Sequence, residues 1–227
     1  MEHQHAYSPS ISAQIEKIIG EIRDPEIEPR VDKHHAPPGP FRGRGKIRLV
    51  ILGQDPTVKK PEDRLGVKVT LCLDQQGRLT TYVKKVCHAL DLELDQNIYA
   101  TNLLKNFFDV PPDTLRKANP LFFQKAASYW IPLLKEEIAE FENVPILPLG
   151  EPVLNCLTNS PGGVLIRDYW GYEAPGIYGK KFGYIKPSEN ILSRVLFPFP
   201  HLPGLTHPLY YGQMEGYLAF MKKQSFR

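Results

Sequence analysis

Ile47-Arg-Leu-Val-Ile-Leu-Gly-Gln-Asp-Pro-Thr57 is the stretch from which the rest of the chain is read. A β-branched, apolar run stops at a glycine, and a carboxylate follows two residues later. Buried parallel strands have this pattern, and functional groups sit on the loop past a strand's carboxyl end. Pro56, with its fixed φ, stiffens the turn that carries Asp55. Gly, Asp and Pro are also ordinary turn formers, so the segment taken alone reads more readily as a strand–turn with a solvated Asp. The remainder of the chain has to decide between these readings.

At 227 residues the chain has the length of one domain with a sizeable core. The expected division is residues 1–46 as an N-terminal helix and wrapping loop, and 47–227 as the core. Its hydrophobic fraction of 42% and charged fraction of 23% fit a soluble globular protein, and no apolar run is long enough to cross a bilayer. Cys72, Cys87 and Cys156 are scattered and odd in number. Reduced thiols in the cytoplasm are expected, with no secretory signal at Met-Glu-His-Gln-His. A net charge of +3 permits nucleic-acid binding without indicating it. The 22 prolines are about twice the average usage of roughly 5%, and they cluster between elements, which predicts stiff, shaped loops.

The spacing predicts a helix over 10–22, with Ser10 as cap and Ile11, Ile15, Ile18, Ile19 and Ile22 on one face. A wrapping loop follows, in which Arg42 and Arg44 can touch phosphates or simply be solvated. Strands are expected at 47–52, 67–73, 97–102, 144–150 and 195–199. Helices are expected at 79–90, 121–141, 151–157 and 213–222, with an extended insertion or hairpin in 159–190. This alternation predicts a three-layer α/β fold, α–β–α, around a central, mostly parallel four-stranded sheet. Right-handed connections bring the strand ends to one rim, where Asp55, Asn102 and His201 become neighbours.

A carboxylate, a carboxamide and an imidazole on one rim suit cleavage of an N-glycosidic bond to a base. The bond breaks through an oxocarbenium-like state, with positive charge on the sugar and negative charge on the base. The carboxylate can activate water and stabilise the cation, and the imidazole can donate to a carbonyl of the departing base. The carboxamide, both donor and acceptor, can read a uracil edge. Taken singly, Asn102 also reads as a strand-end cap and His201 as a satisfied loop histidine.

Four segments in order resemble the motifs of the uracil-DNA glycosylase superfamily. Gly53-Gln-Asp-Pro-Thr57 resembles the water-activating motif that reads GQDPY in the main family. Tyr99-Ala-Thr-Asn102 resembles the strand whose terminal Asn reads uracil. Val144-Pro-Ile-Leu-Pro-Leu-Gly150 resembles the strand and Gly that precede a helix. His201-Leu-Pro-Gly-Leu-Thr206 resembles the late loop, HPSPLS in the main family and NPSGLN in the mismatch-specific one. The resemblance runs from about Lys46 to the C-terminus.

It implies a monofunctional DNA glycosylase that removes uracil or a related damaged base, acting as a monomer on DNA without metal or organic cofactor. Asp55 would activate water and His201 would stabilise the leaving anion. Gln54, through its backbone, Asn102 and Thr57 would bind the base. Gly204, Leu205 and Thr206 would meet DNA, with Leu205 as the wedge that replaces the flipped base. Leu205 packed on the body is the other reading.

Three departures are visible. Thr57 replaces the Tyr that excludes a 5-methyl group, which implies a roomier pocket. The base-stacking aromatic has its best counterpart in Val69, which cannot stack. Leu202-Pro203 replace Pro-Ser and remove a hydroxyl that meets phosphate. A non-catalytic nucleic-acid-binding relative, or a hydrolase of free nucleosides or nucleotides, stays open beside the glycosylase.

Overall fold

Leu49–Gly53 forms a strand in which all five residues are buried, as an uninterrupted apolar run requires when both sheet faces are covered. The computed structural model describes residues 5–58, 60–160, 163–201 and 208–226. In chain order its helices and strands are α1 (Pro9–Glu21), β1 (Phe41–Arg42), β2 (Leu49–Gly53), α2 (Arg78–Ala89), α3 (Leu94–Asn97), β3 (Ile98–Asn102) and α4 (Pro112–Ala118). Then follow α5 (Phe122–Glu137), β4 (Ile146–Pro148), α6 (Glu151–Leu157), β5 (Trp170–Ala174), β6 (Ile177–Phe182), α7 (Pro208–Tyr211) and α8 (Met214–Ser225). No described helix is long and apolar enough to cross a membrane.

The central sheet has four strands in the order β1-β3-β2-β4 and is mostly parallel within an α/β sandwich. Only β1 runs antiparallel, against β3. β2 pairs with β3 from Leu49↔Ile98 to Gly53↔Asn102, and with β4 from Val50↔Ile146 to Leu52↔Pro148. Side chains alternate across a strand. Tyr99 of β3 accordingly reaches Glu137 of α5 on one face, whereas Asn102 faces Leu71 across Gly53 on the other. α5 gathers α1, α4 and α6 into one helical layer, and α2 packs with α8 in the other.

The expected strand at 195–199 pairs beside β4 through Ile146↔Leu196 and Leu149↔Phe199, but as separate bridges. Ile146 donates to Val195 O, Phe197 to Ile146 O and Phe199 to Pro148 O, but Pro148 has no N–H to give Phe197 O, so the ladder cannot run continuously. The expected strand at 67–73 is not formed. This segment makes one bridge, Gly39↔Val69, and then curls into a 3-10 turn at Thr70–Cys72. The reason lies in its partner: on the side of Gly39 that takes Lys68 O and Thr70 N, Pro37 has no N–H to extend the ladder and Phe41 is already paired with Ala100 of β3. Insertion 159–190 contains the β5–β6 hairpin. α1 is capped by Ser8, not Ser10: the Ser8 hydroxyl accepts from Ile11 N at 3.3 Å, with Pro9 in the first turn.

The wrapping loop is held to the body. Asp32 N donates to Phe107 O at 2.9 Å, and Asp109 N to Arg30 O at 2.8 Å. The buried Arg64 guanidinium donates to both the Asp32 carboxylate and the Asp109 carbonyl.

Candidate active site

The parallel strands end on one rim, in the spatial order Asn102, Gly53, Pro148 and Phe199. Two backbone bonds continue the pairing past β2, from Leu103 N to Gly53 O and from Leu104 N to Gln54 O, both 2.9 Å. They fix the 53–55 loop against the continuation of β3. Asp55 then closes its own turn, accepting from Thr57 N at 2.8 Å and from Gln54 Nε2 at 3.1 Å. Thr57 Oγ1 accepts from Phe108 N at 2.9 Å, so Thr57 anchors the carboxylate's loop as well as lining the cavity above it.

That cavity measures about 350 Å³, within the roughly 300–1,000 Å³ of small-molecule sites. Asp55, Gln54 and Thr57 line it together with Gly150 and His201. Gly150 takes φ +93°, a conformation open to glycine, and donates its N–H to Phe199 O at 2.8 Å. This turn carries the chain directly from β4 into α6 beneath His201, whose Cβ lies 3.6 Å from where a Gly150 Cβ would be.

Enclosure by protein pushes the Asp55 carboxyl up to about 6. Hydrogen bonds from the Thr57 hydroxyl and N–H and from Gln54 pull it back, and the Asp113 charge raises it further. His201 is solvent-exposed at the mouth, but the protein beside its ring lowers its pKa below 6.5, with Asp113 opposing. At neutral pH the cavity thus pairs an ionised carboxylate with a neutral imidazole. One can accept a proton from water and the other can donate a hydrogen bond, which is the division of labour that hydrolysis needs.

The rim also brings Asn102 close, but behind the cavity wall. Its side chain is buried at 2% exposure, and its Oδ1 has no hydrogen-bond partner. A Cβ on Gly53 would stand 2.3 Å from that Oδ1 and 2.8 Å from Leu71 Cδ2. Only glycine fits. Gly53→Ala is therefore expected to cost about 1–3 kcal/mol by overpacking. A urea titration reads that loss; an unchanged midpoint would mean that Asn102 and Leu71 yield freely.

Val69 is not at the cavity. It is 4% exposed in the core and bridged to Gly39, and Leu71, two residues on, lines the wall instead. Leu71 and Cys72 both adopt positive φ, 58° and 49°, at a cost of roughly 1–2 kcal/mol each for such residues. The turn at 70–72 inverts the expected facing of this segment.

Arg42 and Arg44 do not reach the rim. β1 is antiparallel, and Arg42 pairs with Tyr99 toward the opposite end of β3. There its guanidinium donates to both Glu140 carboxylate oxygens at 2.7 and 3.0 Å and lies 5.1 Å from the Phe141 ring centroid. Arg44 lines a separate recess with His5, Asp74 and Asp95. Gly204, Leu205 and Thr206 lie outside the described residues.

Sequence reading missed the lip formed by Pro111, Pro112, Asp113 and Arg116 at the start of α4. Asp113 and Arg116 pair at 3.2 Å, three-residue spacing on a helix face being the one signal that could have joined them. Among the described residues no three His, Cys, Asp or Glu side chains converge to hold a metal. No protein-family model matches the chain, and no curated protein matches it significantly.

Proposed function

We propose that the chain is a monofunctional DNA glycosylase that hydrolyses the bond between deoxyribose and uracil or a related base. The observation that carries this reading is a base-sized cavity lined by both Asp55 and His201, in which enclosure pushes the Asp55 carboxyl up to about 6. The four motifs in order support it, as does their arrival on one rim at Asn102, Gly53, Gly150 and His201.

The reaction follows from charge. As the glycosidic bond lengthens, electrons pass to the base and the sugar becomes cationic. The Asp55 carboxylate stabilises that cation and takes a proton from the attacking water, whose oxygen bonds to the sugar carbon. Neutral His201 donates to a carbonyl oxygen of the departing anion. The products are a free base and an abasic sugar. Thr57 leaves more room beside the base than a tyrosine ring, so 5-substituted uracils are accepted. The three free cysteines suit a reducing cytoplasmic compartment, and the protein acts as a monomer.

The test is incubation with single- and double-stranded oligonucleotides carrying uracil, 5-hydroxymethyluracil or mismatched thymine, followed by alkaline cleavage. Cleavage at the modified base is expected; none on any substrate would sink the proposal. Release of uracil from deoxyuridine monophosphate alone would instead identify a hydrolase of free nucleotides. The pH profile is a second reading of the same assay. Asp55 acts ionised, so its raised pKa moves the ascending limb from near 4 to about 6. His201 also acts in its neutral form, which its lowered pKa favours, so it adds no descending limb up to pH 8. Single-turnover rates from pH 4.5 to 8 check this, and a limb centred near 4 would remove the desolvated Asp55 from the role of base.

A further inference from the structure

We infer that Leu71 is a gate over Asn102 and thereby the residue that sets which bases the cavity retains. The inference rests on the base-excision reading and extends it to a specificity determinant that the motifs do not contain. Three separate observations meet at this point of the molecule.

The first is an orphaned acceptor. Asn102 Oδ1 is buried without a partner, at the end of β3 and directly across the register from Gly53. A buried carbonyl oxygen left unpaired is costly, and its persistence calls for an explanation such as a ligand that supplies the donor. The second is the cover. Leu71 reaches over the same face of Gly53 that Asn102 occupies, and Leu71 lines the cavity whereas Asn102 does not. A base entering the cavity meets the leucine before the amide.

The third is the backbone that aims the leucine. Leu71 and Cys72 are consecutive non-glycine residues at positive φ. The turn is tied on both flanks: Thr70 N and Oγ1 both donate to Gly39 O, at 2.8 and 3.0 Å, and Thr80 Oγ1 donates to Cys72 O at 3.3 Å. Between these ties the 71–72 backbone is held in a sparsely populated conformation, the kind that clusters at clamps and switches.

Withdrawal of Leu71 uncovers an amide that offers an acceptor beside a donor. Its complement is a planar ring with an N–H next to a carbonyl, the imide edge of uracil and thymine. Cytosine carries its acceptor and amino donor in the reverse order, so an Asn102 amide oriented for uracil meets it acceptor to acceptor and donor to donor, and discrimination follows from the same contact. While the gate is closed, the competent state is a minor one, and apparent affinity falls by the fraction that is open.

The experiment measures the binding of free uracil by calorimetry, and uracil excision from an oligonucleotide, for the wild type, Leu71→Ala and Leu71→Gly. Glycine serves as the second variant because it takes positive φ without strain. With an open state populated at 10% or less, either replacement tightens uracil binding about tenfold or more. KM for the uracil oligonucleotide falls in step, and kcat changes far less. The gain disappears when Asn102→Ala is added. Unchanged affinity in both Leu71 variants, with excision intact in the wild type, overturns the gate alone. A gain that survives Asn102→Ala overturns it as well. Absence of both uracil binding and excision in every protein overturns the gate together with the function on which it rests.

Discussion

Replacing Asp55 by Asn is expected to lower base release by roughly 10²–10⁴, the usual contribution of a positioned general base, while raising the melting temperature at neutral pH. The two effects share one cause. The carboxyl has its pKa raised from 3.8 to about 6 by enclosure, so the folded state holds its proton more tightly than the unfolded chain does. The stabilisation from the protonated form is complete below pH 3.8 and is lost as pH rises through about 6. Two pKa units correspond to about 3 kcal/mol, of which about 2 kcal/mol is expected because the carboxylate keeps some solvent contact. Asn carries no such charge. Its amide requires Gln54 to turn its own carboxamide so that an oxygen faces the new NH₂. For a chain of this length the gain is about 4–8 °C at pH 8, shrinking toward zero by pH 4. Calorimetry across that range, beside the oligonucleotide assay, checks both signs. A variant that is inactive but less stable at pH 8 would show that Asp55 holds the loop together and does not bear an unfavourable charge there.

The largest stability effect is expected away from the cavity, at Lys105. Its side chain is fully buried and donates to the Glu137 carboxylate and to Thr101 Oγ1, the latter at 2.7 Å. Tyr99 donates its hydroxyl to Glu137 at 2.7 Å, and the Tyr7 ring lies 5.6 Å from the ammonium. Burial lowers the Lys105 pKa, with Glu137 acting in the opposite direction. Lys105→Met leaves Glu137 without its counter-charge inside the protein and is expected to cost about 3–5 kcal/mol. The melting temperature should then fall by roughly 10 °C or more. Adding Glu137→Leu should recover much of that loss, since a well-packed apolar pair replaces a buried ion pair at little cost. A single variant that melts like the wild type would mean that Glu137 takes up a proton without strain.

Much of this architecture is legible in the sequence for identifiable reasons. β2 reads as a buried strand because four apolar residues in a row, Leu49 to Leu52, can be covered only from both sides. Asp55, Gly150 and His201 meet because parallel strands put their ends on one rim, a rule that needs no side-chain detail. Segment 67–73 misled because its own residues favour a strand, while Pro37 and the β3-paired Phe41 on either side of Gly39 limit pairing to one residue. Leu71 was hidden for a related reason: nothing local asks a leucine for positive φ, and the ties that impose it come from Gly39 and Thr80. Arg42 and Arg44 have the composition of a phosphate contact, but composition carries no direction. The reversed sense of β1 takes them to the far end of the sheet.

The proline-broken borders of that sheet bear on how the protein behaves at high concentration. An open sheet invites a neighbour's strand onto its unpaired N–H and C=O groups, and edge-to-edge aggregation follows. Here one margin is the two-residue β1, preceded by Pro40. Beyond β4 the 195–199 segment is interrupted by Pro198 and capped by Ile185, whose N–H and carbonyl both pair with Leu196 at 2.9 and 3.0 Å. Neither margin offers a run of free backbone long enough to template a second molecule. The prolines that shape the loops also keep the sheet from growing.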